Sequence, residues 1–195
     1  MCGELLSRWS LPTALPVGGE HIPIRADFRA VVQVLQCMDD ESLPLFARWR
    51  KALRLFYCDP IDKEHRQEAM EQLAGFISCY QRAQPGPKLM DWTQDAQLIV
   101  SQVNQLAGRE VRQEAFLHWW TFLGWFHSLG PGPFCQVVAI REKLRTGKKL
   151  DEEERKLLHT NPQMVRLPDS HRVKAEKAYL EKLLGGGLHV QTTEN

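Results

Sequence analysis

The chain has 195 residues, and its 25 basic and 24 acidic side chains leave a formal net charge of +1. This length suits one sizeable hydrophobic core rather than two ordinary domains. A chain so nearly neutral lacks the long-range positive field that sequence-independent binding to nucleic acid or to anionic membranes requires, so neither partner is expected.

The first predicted element is a short β-hairpin, which together with an N-terminal arm occupies residues 1–26. Two extended runs flank a Gly-Gly turn at residues 18–19. Because Pro16 and Pro23 cannot donate hydrogen bonds within a sheet, the hairpin has to lie at an edge. Helices must therefore supply most of the core.

A helical domain is predicted over residues 27–167, because apolar residues there recur at the spacing of one helical face. Asp27 is a suitable N-cap for the first helix, and Gly108 is a suitable stop for the fourth. The periodicity and the stop signals predict seven helices, over about residues 28–39, 44–57, 60–82, 91–107, 112–129, 134–144 and 151–158. The predicted fold class is a mainly α, single-domain helical bundle with a short N-terminal β-hairpin.

The same periodicity assigns an inward face to each helix. The predicted apolar stripe of the second helix comprises Phe46, Trp49, Leu53 and Phe56. The third helix is expected to turn Tyr80 inward at its end, and the fourth is expected to bury Leu106 in its last turn.

The fifth helix is predicted to be the central element, because residues 116–126 are apolar nearly all round. Its tryptophans project in different directions, so one face of this helix is expected to meet a partner protein. Trp120 falls on one helical line with Phe116, Leu123 and His127, which favours a core position. Trp119 is then expected on the surface.

Candidate partner-binding residues are therefore aromatic and lie on or near the fifth helix. They are Trp92, Trp119, Phe122, Trp125 and Phe126. The alternative, in which Trp119, Trp120 and Trp125 all belong to the core, stays open because aromatic side chains commonly dominate cores.

The C-terminal sequence has a different character. A charged helix with one narrow apolar seam is predicted over residues 168–184. Three glycines at residues 185–187 are expected to end it, and the polar residues 185–195 are expected to form a flexible tail.

Cysteine usage and the first residues indicate a protein that stays in the cytoplasm where it is made. The five cysteines are an odd number, and four lie among apolar residues, as reduced core thiols do. The start carries no basic and apolar export signal. The longest apolar-rich stretch, residues 116–126, is well short of the roughly 20 residues needed to cross a bilayer.

The sequence offers little for catalysis or cofactors. It contains no closely spaced cysteine or histidine pair of the kind that binds zinc, and no glycine-rich phosphate loop with its lysine. No metal or other cofactor is expected, and the protein is predicted not to be an enzyme.

Three polar residues leave a catalytic alternative open. Asp91 and Asp95 lie four residues apart on one predicted helical face, where paired carboxylates can share a proton or hold a cation. Capping of the helix start is the favoured interpretation, and His118 is expected to be a hydrogen-bonded core histidine. A small hydrolase or metal enzyme built on Asp91, Asp95 and His118 is the alternative from another functional class.

Four stretches together resemble a known family of phage proteins, named after gene product fifteen of a Listeria siphophage. They are residues 15–28 with the run Ile24-Arg25-Ala26-Asp27-Phe28-Arg29, residues 90–99, residues 117–123, and Ile140-Arg141 followed by residues 150–154. In order and spacing they cover most of the chain to about Leu167.

The resemblance implies a bacteriophage or prophage tail assembly chaperone of a siphophage. Such a protein would bind the tape-measure protein in the host bacterial cytoplasm while the tail tube polymerises. Further partners implied are the tail-tube protein and a companion tail assembly protein, with a homo-oligomer as an open alternative. A structural tail protein retained in the virion is the second interpretation.

Overall fold

The computed structural model describes residues 10–81 and 86–168. This part of the chain is mainly helical and begins with a two-stranded antiparallel hairpin, as the sequence predicts. The predicted charged helix at residues 168–184, apart from Pro168, and the predicted tail at residues 185–195 lie outside the described residues.

The hairpin consists of β1, Ala14–Val17, and β2, Glu20–Pro23. Leu15 pairs with Ile22, and β1 packs against helix α3 described below. Gly18 lies in the left-handed region with φ of 62°, and a Cβ there would come within 2.8 Å of the His65 ring. Glycine is therefore required at this turn on two grounds.

Eight α-helices follow in the described part of the chain. They are α1 Phe28–Asp39, α2 Leu45–Phe56, α3 Arg66–Ile77, α4 Ala96–Ala107, α5 Trp119–His127, α6 Pro133–Thr146, α7 Glu152–Thr160 and α8 Pro162–Val165. The first seven correspond to the predicted helices, whereas α8 was not predicted. None of the described helices is long and apolar enough to cross a membrane.

Helices α3, α4 and α5 are shorter than predicted, and α4 begins at Ala96 instead of about residue 91. α3 begins only after a 3-10 turn at Lys63–His65, and it ends where Cys79 and Tyr80 adopt positive φ angles. α5 begins at Trp119, because the residues before it are extended and pair with another segment of the chain.

That other segment is residues 24–28, which we call the strap. On one side, the Arg25 amide donates to the Phe56 carbonyl at 2.8 Å at the end of α2. On the other side, the Phe28 amide donates to the Leu117 carbonyl at 2.9 Å, and the Trp119 amide donates to the Ala26 carbonyl at 2.8 Å. The strap thus holds the end of α2 and the start of α5 together.

Asp27 fixes the strap through its carboxylate. Oδ1 accepts a hydrogen bond from the Arg29 amide at 3.0 Å, which caps α1 as predicted. Oδ2 accepts from the Leu117 amide at 3.0 Å, and the Arg29 guanidinium donates to both oxygens. Burial alone would raise the pKa of Asp27, but these hydrogen bonds outweigh it and lower the pKa below its ordinary value.

The hydrophobic core has a large and a small part. The large part lies between the hairpin, helices α1 to α5 and the start of α6, with Phe56, Phe76 and Trp119 among its largest buried side chains. The small part comprises Ile140, Leu150 and Val165, contributed by α6, the loop before α7, and α8.

Three predicted inward residues are exposed, so those predictions were wrong. Phe46 is 71% exposed, because the first turn of α2 extends beyond the core. Tyr80 is 43% exposed, because α3 has already ended, and its ring lies against Gly75. Leu106 is 48% exposed in the last turn of α4.

Candidate functional site

Asp91 caps the turn that precedes α4, as predicted. Its Oδ1 accepts hydrogen bonds from the amides of Thr93 and Gln94, both at 2.9 Å. These two bonds also lower the pKa of the Asp91 carboxyl, outweighing the opposite effect of burial. Lys88 lies 3.3 Å from its other oxygen.

Asp95 makes no side-chain cap bond to α4 itself. Its Oδ2 accepts a hydrogen bond from the Asp91 amide at 2.9 Å, so it caps a free amide only in the turn before the helix. It is fully buried and binds Arg141 of α6, with Nη1 to Oδ2 at 2.6 Å and Nη2 to Oδ1 at 2.8 Å. Arg141 was noted only as part of a run that resembles the phage family, and this role was not predicted. A basic residue inside an otherwise apolar helical face was the available signal.

All five N–H donors of Arg141 have acceptors. Besides Asp95, the guanidinium donates to the carbonyl oxygens of Leu89, Met164 and Val165, at 2.9, 3.0 and 2.7 Å. This network, the Arg141 clasp, ties the small core cluster and α8 to the segment before α4. A guanidinium with every donor satisfied is a structural group.

His118 is a hydrogen-bonded core histidine, as predicted. Its Nε2 lies 3.0 Å from the Pro12 carbonyl oxygen, and its Nδ1 accepts a hydrogen bond from the Trp120 amide at 3.1 Å. This arrangement assigns the proton to Nε2 and makes His118 the N-cap of α5. Burial lowers the pKa of the imidazole, although the bond to Pro12 acts in the opposite direction.

The three side chains of the catalytic alternative each bind groups that belong to the fold. The Asp91 carboxylate binds backbone amides, the Asp95 carboxylate binds Arg141 and the Asp91 amide, and His118 binds the Pro12 carbonyl. Within residues 10–81 and 86–168, no group of three or more His, Cys, Asp or Glu side chains could hold a metal ion. The geometry therefore gives the hydrolase or metal-enzyme alternative no shared site.

The two neighbouring tryptophans at the start of α5 both bind the end of α3. The Trp119 indole N–H donates to the Ile77 carbonyl at 2.9 Å, and that of Trp120 donates to the Phe76 carbonyl at 2.8 Å. The last carbonyl groups of a helix have no amide donor within the helix, and the two indole N–H groups act as donors to carbonyls at this end. No local pattern in the sequence indicated this pairing.

The predicted roles of Trp119 and Trp120 were reversed. Trp119 is 1% exposed and lies in the core, whereas Trp120 is half-buried. The predicted helical line began at Phe116, but α5 begins three residues later, and Phe116 precedes it in an extended segment. Because the helix starts at Trp119, its inward face is set by Trp119, Phe122 and Leu123.

Phe122 is also a core residue, so it offers no surface to a partner. Its ring stacks on Phe28 with centroids 4.5 Å apart. The three remaining predicted residues, Trp92, Trp125 and Phe126, are half-buried, and we call them the aromatic shoulder. Trp92 and Phe126 are in contact, with ring centroids 5.4 Å apart.

An open pocket of about 250 Å³ adjoins Trp92 of the aromatic shoulder. Carboxylates and amides from the end of α1 and the turn before α4 line its other sides. Its lining residues are Gln36, Asp39, Asp40, Asp91, Trp92, Thr93 and Pro168. The shoulder is thus bordered by a recess whose lining includes three aspartates.

A more exposed apolar surface lies at the start of α2. The second half of this helix buries Ala52, Leu53 and Phe56. In the first turn, by contrast, Leu45 is 58% and Phe46 is 71% exposed, the largest fraction among the exposed large hydrophobic side chains of the described residues. We call these two residues the α2 overhang. Here an apolar helical surface continues past the core that it covers.

The sequence pattern alone could not reveal the α2 overhang, because apolar periodicity identifies a face and not the point at which the core ends. The charge of the helix is a separate feature that the sequence does show. Four of its residues are basic and none is acidic, which is unusual in a chain of net charge +1.

Comparison with known proteins gives one match. A sequence model of the family described as Bacteriophage Gp15 protein matches residues 10–167, well over half of the chain. The match includes the hairpin and all eight described helices. No curated protein and no solved structure matches the chain.

Proposed function

Because the chain belongs to the bacteriophage Gp15 protein family, we propose that it is a tail assembly chaperone that binds the tape-measure protein while the tail tube forms. Membership of the family indicates a phage structural or assembly role. The chaperone activity and this client are the more specific part of the proposal. Two apolar surfaces, the α2 overhang and the aromatic shoulder, support this more specific part.

The α2 overhang carries the proposal. A chaperone for a helical client needs an apolar surface that can be covered and then released. Covering one large apolar side chain contributes about 1.5–3 kcal/mol, so the overhang supports binding that competition can reverse. Exposed Leu45 and Phe46 are adjacent on one helix, which gives an amphipathic client segment a continuous contact.

The aromatic shoulder is the second candidate contact for the client. Its three residues, Trp92, Trp125 and Phe126, pack partly against the core and keep part of each ring accessible. Half-buried aromatic residues are typical of binding hot spots, because their position is fixed before the partner arrives.

We further propose that the protein catalyses nothing and that its client is released by competition. Tail-tube subunits would bind the same client segments and displace them, with a companion tail assembly protein as a further partner. This mechanism places the protein in the host bacterial cytoplasm. The acid and base candidates Asp91, Asp95 and His118 all serve the fold, which supports a binding role.

Co-expression with the tape-measure protein tests the function. The wild-type chain is expected to raise the soluble fraction of that client severalfold over an empty vector. Leu45→Ser and Phe46→Ser are expected to reduce the gain. Leu106→Ser is the matched control, since Leu106 is comparably exposed at the end of another helix.

Two results would contradict the proposal. If the wild-type chain leaves the client insoluble, the chaperone function is wrong. If Leu45→Ser and Leu106→Ser behave alike, the α2 overhang is not the client surface. Mass spectrometry of purified phage particles tests the alternative of a structural tail protein. Such a protein would be found in the virion in stoichiometric amount.

A further inference from the structure

Helix α2 carries basic residues along with its exposed apolar end. Within Leu45–Phe56 there are four basic residues and no acidic one. Arg48 serves the fold, since its guanidinium donates to the carbonyl oxygens of Leu43 and Met38, both at 2.9 Å. Arg50 and Arg54 are exposed and have no such role.

Arg50 and Arg54 line one shallow pocket together with Arg66, the first residue of α3. None of the ion pairs formed among the described residues involves any of these three arginines. Asp59 also lines the pocket, but it makes no ion pair with them. The other lining residues are apolar, namely Leu53, Pro60 and Ile61.

The arginine pocket and the α2 overhang lie along one side of α2. Phe46, Arg50 and Arg54 are spaced four residues apart, so they are successive neighbours on the helix surface. At 1.5 Å per residue they span about 12 Å, or roughly two helical turns. One end of this surface is apolar, and the other end is cationic.

We propose that this surface is a docking site for an amphipathic helix of a partner protein that carries an acidic side chain about two turns from an apolar one. The apolar residue covers Leu45 and Phe46, and the carboxylate binds the arginine pocket. Arginine is suited to this role, because its planar guanidinium binds a carboxylate through two parallel hydrogen bonds. The identification of this partner with the assembly client rests on the proposed function, but the chemistry of the site does not.

An acidic helix fits the surface better than a nucleic acid does. Apolar side chains line the pocket beside the arginines, and exposed Leu45 and Phe46 lie at the other end of the same helix. A phosphate backbone offers nothing apolar to cover these side chains. The net charge of +1 also leaves no extended positive field around the protein.

Binding of designed peptides to the full-length chain tests the proposal. Fluorescently labelled helical peptides of about 20 residues would carry Leu and, about seven residues later, either Glu or Lys. Fluorescence anisotropy is expected to give binding of the Glu peptide about tenfold tighter than the Lys peptide at low salt. The preference should decrease as the salt concentration rises, because exposed charges are screened.

Charge reversal makes the test specific. The double variant Arg50→Glu and Arg54→Glu is expected to lose the preference for the Glu peptide and to bind the Lys peptide more tightly. Lys149→Glu with Lys156→Glu is the matched control, because it makes the same charge change at exposed positions elsewhere. Phe46→Ser should weaken binding of both peptides to a similar degree.

The outcomes distinguish this proposal from the chaperone function. It is overturned if charge reversal at Arg50 and Arg54 leaves the peptide preference unchanged, or if a single-stranded oligonucleotide of similar length binds more tightly and loses its affinity on the same reversal. If the wild-type chain fails to solubilise the tape-measure protein yet prefers the Glu peptide, the docking site stands and the client is different.

Discussion

Arg141 binds Asp95 through two parallel hydrogen bonds, at 2.6 and 2.8 Å, with both side chains almost completely buried. The two residues are 46 positions apart in the chain. Their contact joins the small core cluster around Ile140 to the segment that starts α4. An ion pair in this position makes the two parts of the core dependent on one another.

Removing one member of this pair is expected to destabilise the protein strongly. Asp95→Ala leaves the buried guanidinium without its counter-charge, so the free energy of unfolding should fall by about 3–5 kcal/mol. Glu142→Ala is the control, since it removes an exposed pair with Arg145 and should leave the free energy of unfolding nearly unchanged. Urea denaturation measures both, and equal losses would contradict the role of the clasp.

The two neighbouring tryptophans of α5 are expected to differ in their contribution to stability. Trp119→Ala removes a fully buried ring and should lower the free energy of unfolding by about 3–5 kcal/mol. Trp120→Ala removes a half-buried ring and its bond to the Phe76 carbonyl, and should cost about 1–3 kcal/mol. Thermal and urea unfolding check the order, and a larger loss at Trp120 would contradict it.

His118 is expected to make stability depend on pH near neutrality. Burial lowers its folded-state pKa below the ordinary value of 6.5, so the unfolded chain binds more protons as the pH falls. The stabilising contribution is therefore complete well above pH 6.5 and is lost as the pH falls below it. Urea denaturation from about pH 7.5 to about pH 5.5 should record this loss.

Two variants isolate the His118 contribution. His118→Asn keeps a suitable N-cap but cannot titrate, so its stability should change less over the same pH range. His127→Asn, at an exposed histidine at the end of α5, should retain the wild-type slope. The carboxyl group of Asp27 has a pKa below the ordinary value of 3.8, so its titration lies outside this pH range. Identical slopes for both variants would refute the assignment.

The aromatic shoulder is expected to contribute more to client binding than to the stability of the fold. Trp125→Ala removes a half-buried ring, so the free energy of unfolding should fall by only about 1–2 kcal/mol while the soluble fraction of co-expressed tape-measure protein falls. Trp120→Ala is the control, because that half-buried tryptophan is bonded to α3. The shoulder is excluded if client solubility is the same for Trp125→Ala and wild type.

Local signals in the sequence were sufficient to locate seven of the eight α-helices in the described residues and several of their caps. Asp27 caps α1 where predicted, and Gly108 ends α4 with a left-handed conformation. These features depend on residues within one or two turns of each other, so a single sequence carries the necessary information. The fold class followed from them.

Features that depend on contacts between distant segments of the chain could not be predicted from the sequence. The predicted start of α5 was wrong because Leu117 pairs with the strap across 89 positions, which holds the preceding residues extended. The Arg141 clasp and the indole hydrogen bonds to the end of α3 also join segments that are far apart in the chain. Each depends on which segments meet in space, and periodicity along the chain carries no information about that.

The positions of the exposed aromatic and apolar residues were predictable only in part. Aromatic residues on α5 indicated a protein-binding surface, yet Trp119 and Phe122 proved to be core residues. The α2 overhang was hidden, because Phe46 has the same spacing as the buried residues Leu53 and Phe56. Only the extent of the core, which is a property of the whole fold, separates them.

The strap has a consequence for the order of events during synthesis. Asp27 and its partner Leu117 are 90 residues apart, so at about 5–20 residues per second the ribosome completes Leu117 about 5–18 seconds after Asp27. Until then the backbone groups of Ala26 and Phe28 that face α5 have no strand to pair with. A nascent chain paused in this interval presents an open strand edge, which is the feature most prone to pairing with another chain.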